Sequence, residues 1–242
     1  MIPALIIGRK GSVQFPNKNT HPVLSRPMCW YVMKNVIDCK LITHMYVSTD
    51  DSKIITIAKS FKEEYINIIN RPPSLCTSEA LGEDVFRHGY EYIKNITGKN
   101  FDIMVLLFCN AVTFTASHIT AGIDHLIDMP KLDSAITVSK YNWYAPMRAR
   151  KIDNKGLLKP FVPFTDADRD INCDRDSQGD CYFADCCVSV IRTRNLENSK
   201  LNLPPQKWMG YNIWPIFNEG GLDIDSEFQL GQVEHYLRKV GW

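Results

Sequence analysis

A chain of 242 residues, 45% hydrophobic and 23% charged, carries enough apolar material for a substantial core, which one α/β domain can use entirely. Its formal net charge of +1 excludes bulk binding to nucleic acid or acidic membranes, since such binders carry a surplus of Lys and Arg. The opening MIPALIIGRKGS holds too short an apolar stretch for a signal peptide, and no later segment reaches the roughly 20 apolar residues of a membrane span.

Short apolar runs alternate with segments of helical period, the pattern of a mostly parallel sheet covered by helices. The first strand is predicted over 4–7, followed by the loop GRKGSVQFPNKN. A helix over 26–39 places Met28, Tyr31, Val32 and Val36 on one face. A second strand over 44–48 runs through Thr49-Asp50-Asp51 into a helix over 52–61, and a third strand follows over 65–69. Next come a helix over 79–96, a buried strand over 103–108, a helix over 116–127 and a strand over 134–139. From Tyr141 the pattern changes: Pro146, Pro160 and Pro163 break the chain, and Asp and Arg cluster over 166–180. Two more strands, over 182–191 and 211–217, precede an amphipathic helix over 226–239 with Phe228, Val233, Tyr236 and Leu237 on its apolar side. With neither a long linker nor a repeat, the chain reads as one domain over 1–242, with 141–180 as an inserted arm.

Three places carry residue types that suit chemistry. The loop after the first strand combines Gly8 and Gly11, which let backbone amides approach an anion, with the positive charge of Arg9, Lys10 and Lys18. That suits a triphosphate held beyond the carboxyl ends of parallel strands, or else a solvated basic turn. It is neither a Walker A loop nor a GxGxxG fingerprint, so ATPase and dehydrogenase chemistry lose ground. The second place is Asp223-Ile224-Asp225, where extended backbone would point both carboxylates to one side. Such a pair suits magnesium, which binds commonly through one or two carboxylates plus substrate phosphates; Asp225 or Ser226 capping the last helix is the competing role. The third is Ser48-Thr49-Asp50-Asp51, where Asp50 either meets a ligand or caps the helix that follows. Among the eight cysteines, Cys173, Cys181, Cys186 and Cys187 lack the spacing of a zinc site, so all are expected as reduced thiols of a cytoplasmic protein, Cys186 and Cys187 in the core.

In order and spacing these segments resemble the acylneuraminate cytidylyltransferases, nearly end to end. GRKGSVQFPNKN looks like that family's nucleotide loop, Arg26-Pro27-Met28 like the opening of its first helix, and GLDIDSEFQL like its magnesium-binding aspartate motif. VSTDDSKIITIA and Asn70-Arg71-Pro72-Pro73-Ser74-Leu75 are similar to further family segments. The likeness is closest to a variant branch: Leu107-Phe108-Cys109-Asn110-Ala111 stands in place of the widespread QPTSPLR, alongside SKYNWYAPMRARKI, INCDRDSQGDCYFAD and PPQKWMGYNIWPI. One departure stands out, because Val13 follows Ser12 where the family usually has a lysine.

The resemblance implies a three-layer α/β fold with a mostly parallel twisted sheet, nucleotide-diphospho-sugar transferase-like and Rossmann-like, with a small inserted excursion used for dimerisation. It implies transfer of CMP from CTP to a sialic-acid-like (nonulosonic) sugar acid, with release of pyrophosphate. By the same resemblance Arg9, Lys18, Asp223 and Asp225 are the expected catalytic residues, and Asp223 and Asp225 hold the Mg2+ cofactor. Ser12 and Asn19 would hold the nucleotide, and groups near Arg71 would read the base. Asn110, Arg148, Arg150, Arg175, Ser177 and Gln178 complete the expected substrate-binding set, one of the arginines facing the sugar carboxylate. The expected partners are CTP, the sugar acid and a second copy of the chain, reached by the arm. Two other readings stay open at this point: a nucleotidyltransferase for another sugar or another donor, such as a guanylyl one, and a nucleotide-binding homologue whose catalysis is impaired by the change at Val13.

Overall fold

In a computed structural model, which describes residues 1–165, 168, 170–198 and 202–242, the apolar run Pro3–Ile7 becomes β1, an interior strand of a seven-stranded sheet. In chain order there follow a two-residue ribbon, β2 (Pro22–Val23) and β3 (Arg26–Pro27), then α1 (Met28–Asp38), β4 (His44–Thr49) and α2 (Ser52–Ser60). After β5 (Ile66–Asn70) come α3 (Gly82–Thr97), β6 (Ile103–Phe108), α4 (Ala116–Asp128) and β7 (Ser134–Lys140). A short hairpin, β8 (Arg150–Ile152) and β9 (Leu158–Pro160), precedes β10 (Tyr182–Arg192), α5 (Arg194–Glu197), β11 (Ile213–Asn218) and α6 (Leu230–Lys239). The sheet order is β11-β7-β10-β6-β1-β4-β5. Every neighbouring pair is parallel except the two that β10 makes, antiparallel to both β6 and β7.

Both faces of the sheet are covered, which is why its strands read as unbroken apolar runs. Side chains alternate along β1: Ala4 and Ile6 pack into one core with α1, α2, α4 and α6, while Leu5 and Ile7 pack into another with α3. Tyr31 and Phe114 are fully buried in the first core and Phe86 and Tyr46 in the second. The three layers agree with the fold class expected from the alternation of strand and helix.

Most predicted elements differ from the observed ones only at their ends, and the larger differences have local causes. The first helix starts at Met28 because Arg26–Pro27 pairs with Pro22–Val23 instead. The third helix starts at Gly82, since Pro73–Leu75 forms a separate turn, bends follow it, and Leu81 is extended. The last helix starts at Leu230, after a single turn over Glu227–Gln229, and this removes Phe228 from its apolar side: Phe228 is 80% exposed. Ser226 opens that turn, with the Gln229 carboxamide accepting from the amides of Asp225 (2.8 Å) and Ser226 (2.9 Å). Asp51, not Asp50, caps α2 by accepting from the Lys53 amide at 2.9 Å. All eight cysteines are free thiols; Cys187 is fully buried as expected, but Cys186 is only partly so.

The one irregularity of the sheet lies in β10, whose pairing with β7 shifts register between Ala184 and Ser189. Cys186 takes a left-handed backbone there (φ 59°), and such bulges re-aim side chains at strand ends. The shift seats Asp185 in the interior. Its carboxylate accepts from Thr137 Oγ1 (2.5 Å), Ser139 Oγ (2.8 Å), Asn218 Nδ2 (3.0 Å) and the Cys187 amide (3.1 Å). No helix among the described residues is long and apolar enough to cross a membrane.

Candidate active site

The strands β1, β4 and β6 are adjacent and parallel, so their carboxyl ends open on one edge of the sheet. Here the strand order changes direction, with β4 on one side of β1 and β6 on the other, and the diverging loops leave a crevice. It is a cavity of about 200 Å³, and six of the residues singled out from sequence line it: Arg9, Ser12, Lys18, Asn19, Arg71 and Asn110. Leu75, Val85 and Phe108 supply an apolar wall; Leu75 and Phe108 stand in segments that resemble the family but were not expected as site residues, and Val85 lies in no motif.

The loop over this cavity is held from several directions. Gly8 ends β1 against Cys109, and a Cβ at Gly8 would lie 2.6 Å from the Cys109 sulfur, so only glycine fits without displacing β6. The buried Asn19 donates from Nδ2 to the Arg9 carbonyl at 3.0 Å. The Lys10 amide donates to the Asp50 carboxylate at 2.8 Å, so Asp50 neither caps a helix nor stands alone but anchors the loop. Arg9 folds back to donate to the carbonyl of Gly11 at 2.9 Å. Arg71 is 8% exposed and donates from Nη2 to the Ser48 carbonyl (2.6 Å) and from Nε to Ser48 Oγ (3.3 Å); burial lowers its pKa. Val13 is 79% exposed and does not line the cavity.

Asp223-Ile224-Asp225 borders the same crevice through two tethers. Lys18 Nζ forms an ion pair with Asp225. Asn110 and Ile224 exchange hydrogen bonds, the Asn110 carboxamide donating to the Ile224 carbonyl (2.9 Å) and the Ile224 amide to the Asn110 carbonyl (3.1 Å). Burial, and then the neighbouring charge of Asp225, push the Asp223 carboxyl above its ordinary pKa, while Lys18 works in the opposite direction. The segment is seated by Gly221, whose Cβ, were there one, would fall 2.0 Å from the Asp185 carboxylate. Tyr141 closes it from above, donating to the Gly221 carbonyl at 3.0 Å.

On the far side of Asp223 lies a second cavity, of about 340 Å³. Tyr141, Tyr144, Phe183 and Phe228 give it aromatic walls, and Gln229, Gln232 and Asp223 give it polar groups. Sequence reading had placed Tyr141 and Tyr144 in the arm and Phe228 on a helix, and had no signal for a pocket assembled from three distant segments.

The other expected substrate residues lie elsewhere. Arg148, Arg150 and Gln178 line a separate depression within the arm, and Arg175 and Ser177 belong to the same excursion. The guanidinium groups of Arg148 and Arg175 both lie near one indole, 5.9 and 5.8 Å from the Trp143 ring centroid, and Arg150 lies 5.6 Å from that of Phe164. Ser177 Oγ donates to the Asp174 carbonyl (2.8 Å), and Gln178 Nε2 to the carbonyls of Arg175 (2.5 Å) and Asn142 (3.2 Å). None of these five residues lines the nucleotide-sized crevice of its own chain. Positions 166, 167 and 169 of the Asp and Arg cluster lie outside the described residues.

The mostly parallel sheet with helices on both faces is a fold of the nucleotide-diphospho-sugar transferase-like kind. The model of the family described as cytidylyltransferase matches residues 3–129, more than half of the 242, and the chain belongs to that family. A bifunctional protein of Helicobacter pylori (strain ATCC 700392 / 26695), pseudaminic acid cytidylyltransferase and UDP-2,4-diacetamido-2,4,6-trideoxy-beta-L-altropyranose hydrolase, is 22% identical over 151 residues, 62% of this chain. The match spans 28% of that relative's length. Among solved structures, a CMP:2-keto-3-deoxy-manno-octonic acid synthetase complexed with CTP superposes with a TM-score of 0.67 at 14% identity, over 99% of this chain and 100% of that one. A 4-diphosphocytidyl-2C-methyl-D-erythritol synthase from Anaerococcus prevotii DSM 20548 gives 0.63 at 13% identity, covering 98% and 96%.

Proposed function

We propose that this chain transfers the CMP unit of CTP to a nonulosonic sugar acid and releases pyrophosphate, as a member of the acylneuraminate-like variant branch. The observation that carries the reading is the position of the Asp223-Ile224-Asp225 segment: Asp223 lines the aromatic pocket, while Lys18 and Asn110 of the basic crevice hold Asp225 and Ile224. A triphosphate suits the crevice and a sugar the pocket. The α-phosphorus then falls beside the two carboxylates, where the acceptor must approach. The relative's pseudaminic acid activity and the 2-keto sugar acid named for the neighbouring structure support an acceptor of this class.

The donor set fits magnesium. Asp223 and Asp225 stand one residue apart, and burial together with the charge of Asp225 raises the pKa of Asp223, an effect that a cation between them would offset. Two carboxylates plus phosphate oxygens are a common magnesium environment. When bound there, the ion would offset charge on the phosphates and lower the pKa of the attacking hydroxyl. The chain's own residues do the rest. Lys18 leaves Asp225 for the phosphates, and Arg9, Ser12 and the loop amides hold the triphosphate in line. Asn19 and Asp50 keep the loop backbone open, Asn110 keeps Ile224 and so both carboxylates in place, and Leu75, Val85 and Phe108 shield the base. The anomeric hydroxyl attacks the α-phosphorus, the bond to the β-phosphate breaks, and the hydroxyl proton passes to water.

The aromatic pocket has no cation of its own for a sugar carboxylate, while Arg148, Arg150 and Arg175 sit on the arm with exposed Trp143 and Tyr144. This favours a homodimer in which the arm of one copy serves the pocket of the other. Val13 is exposed outside the crevice, while Arg9 and Lys18 still line it, which favours the catalytic reading over the impaired one. Mass spectrometry of a reaction with each of the four NTPs, Mg2+ and a panel of nonulosonic acids tests the proposal. CMP-sugar and pyrophosphate in equal amounts from CTP alone support it, whereas a guanylyl, uridylyl or adenylyl product, or none, contradicts it.

A further inference from the structure

Against the turn that leads into Asp223 lies a buried carboxylate to which the mechanism gives no role. Asp185 is 6% exposed, and each of its oxygens accepts two hydrogen bonds: Oδ1 from Thr137 Oγ1 and the Cys187 amide, Oδ2 from Ser139 Oγ and Asn218 Nδ2. All four neighbours present donors, which a carboxylate can accept on both oxygens and a carboxamide cannot. Burying a charge is unfavourable unless its hydrogen bonds are complete, so the groups that complete them are held in place. They belong to β7, β10 and β11, which meet here beside the register shift at Cys186.

From Asp185 the network reaches the residues just before Asp223. The Gly221 amide donates at 2.8 Å to Ser139 Oγ, the same hydroxyl that donates to Asp185. The carboxylate packs so closely on Gly221 that a Cβ there would fall 2.0 Å from it. Asn218 Nδ2 donates also to the Thr113 carbonyl at 2.8 Å, and Thr113 Oγ1 accepts from the Leu222 amide at 3.0 Å. One network centred on Asp185 thus holds both Gly221 and Leu222.

Resting on the reading of Asp223 and Asp225 as magnesium ligands, we infer that Asp185 is a positioning residue for that site. Acting through Ser139 and Gly221, it sets where the backbone enters Asp223 and so how that carboxylate meets the cation. Asp185 borders the aromatic pocket, yet with both oxygens taken by the chain's own donors it works through its neighbours.

Two substitutions test this, Asp185→Asn and the milder Ser139→Ala, beside Ser134→Ala as a matched control. Ser134 stands at the other end of β7, is equally buried, and donates from its hydroxyl to the Met209 carbonyl at 2.5 Å. Mn2+ binding to the full chain, in the presence of a non-hydrolysable CTP analogue, is followed by electron paramagnetic resonance, and stability by urea denaturation. Asp185→Asn and Ser139→Ala are expected to weaken Mn2+ by about tenfold or more, the scale for a group that orients a metal ligand. Their affinity for the analogue without metal stays that of the unmodified chain. Ser134→Ala lowers the urea midpoint about as much as Ser139→Ala and leaves Mn2+ affinity intact. Retained Mn2+ affinity in either folded variant, or an equal loss in Ser134→Ala, overturns the inference. Ser139→Ala against Ser134→Ala decides the matter even where Asp185→Asn does not fold. Failure of the magnesium reading itself shows differently: the unmodified chain binds the analogue but no Mn2+, and that outcome also removes the inference.

Discussion

The crevice beyond β1 and the arm over 141–180 are built on opposite plans. In the crevice, Asn19, Arg71 and Asn110 are less than a tenth exposed, and each is engaged with backbone of a different segment. In the arm, Trp143 is 65% exposed and Phe161 62%, and among the described residues Arg148, Arg150 and Arg175 bond to groups of the arm itself. A polar side chain buried on a backbone group fixes geometry, since leaving that group unpaired costs about 1–3 kcal/mol. Exposed aromatic rings interleaved with arginines have the composition of an interface. The first region is thus preorganised within one chain, and the second has the exposed composition on which the proposed dimer rests.

Changes in the crevice should have the larger effects. Lys18→Met removes the cation that links the loop to Asp225, and is expected to lower kcat/KM for CTP on the order of 10²–10³-fold in steady-state assays, the scale for one preorganised electrostatic contact. Asn110→Ala frees Ile224 and is expected to reduce kcat by about 10–100-fold, as loss of a group that orients a ligand does, with little change in KM for CTP. On the arm, Arg148→Ala with Arg175→Ala raises KM for the sugar acid by about tenfold or more and leaves CTP binding intact in calorimetry, reflecting a lost charge-assisted pair. Mixing that variant with an Asp223→Ala chain sharpens the comparison. The KM for the sugar acid falls back toward the natural value if each arm serves its partner's pocket and stays raised if each serves its own.

A smaller effect follows from the Asp223 carboxyl. Its folded pKa is raised, so its contribution to stability is intact below the ordinary carboxylate range and is lost as pH rises through the folded value. Without metal and nucleotide, Asp223→Asn is therefore expected to raise the urea midpoint at pH 7 and to have no effect near pH 3. A midpoint that falls at pH 7 would show that the carboxylate is already satisfied in the free protein.

The sequence made the crevice legible because its signals are local: a glycine and basic loop directly after an apolar strand, and two aspartates one residue apart. It did not show what several of these residues do. Asn19, Arg71 and Asn110 were expected on substrate, but all three also hold backbone, a role visible only once residues 9, 48 and 224 are brought beside them. Asp50 and Asp185 were illegible for the same reason, their partners being 40 to 48 residues away or across a register shift. Tyr141, Phe183 and Phe228 meet from three segments with no shared period, so no pattern announced the aromatic pocket. The arm's exposed face was readable as composition only.

The central claim is that Asp223 stands where CTP and a sugar acid meet. Pyrophosphate release from CTP and Mg2+, with and without nonulosonic acids, measured for the natural chain beside Asp223→Ala, tests it most directly. The account predicts release that requires the sugar, occurs with CTP and falls to background in Asp223→Ala while that variant still binds CTP. Sugar-independent release, or release that survives in Asp223→Ala, would contradict it.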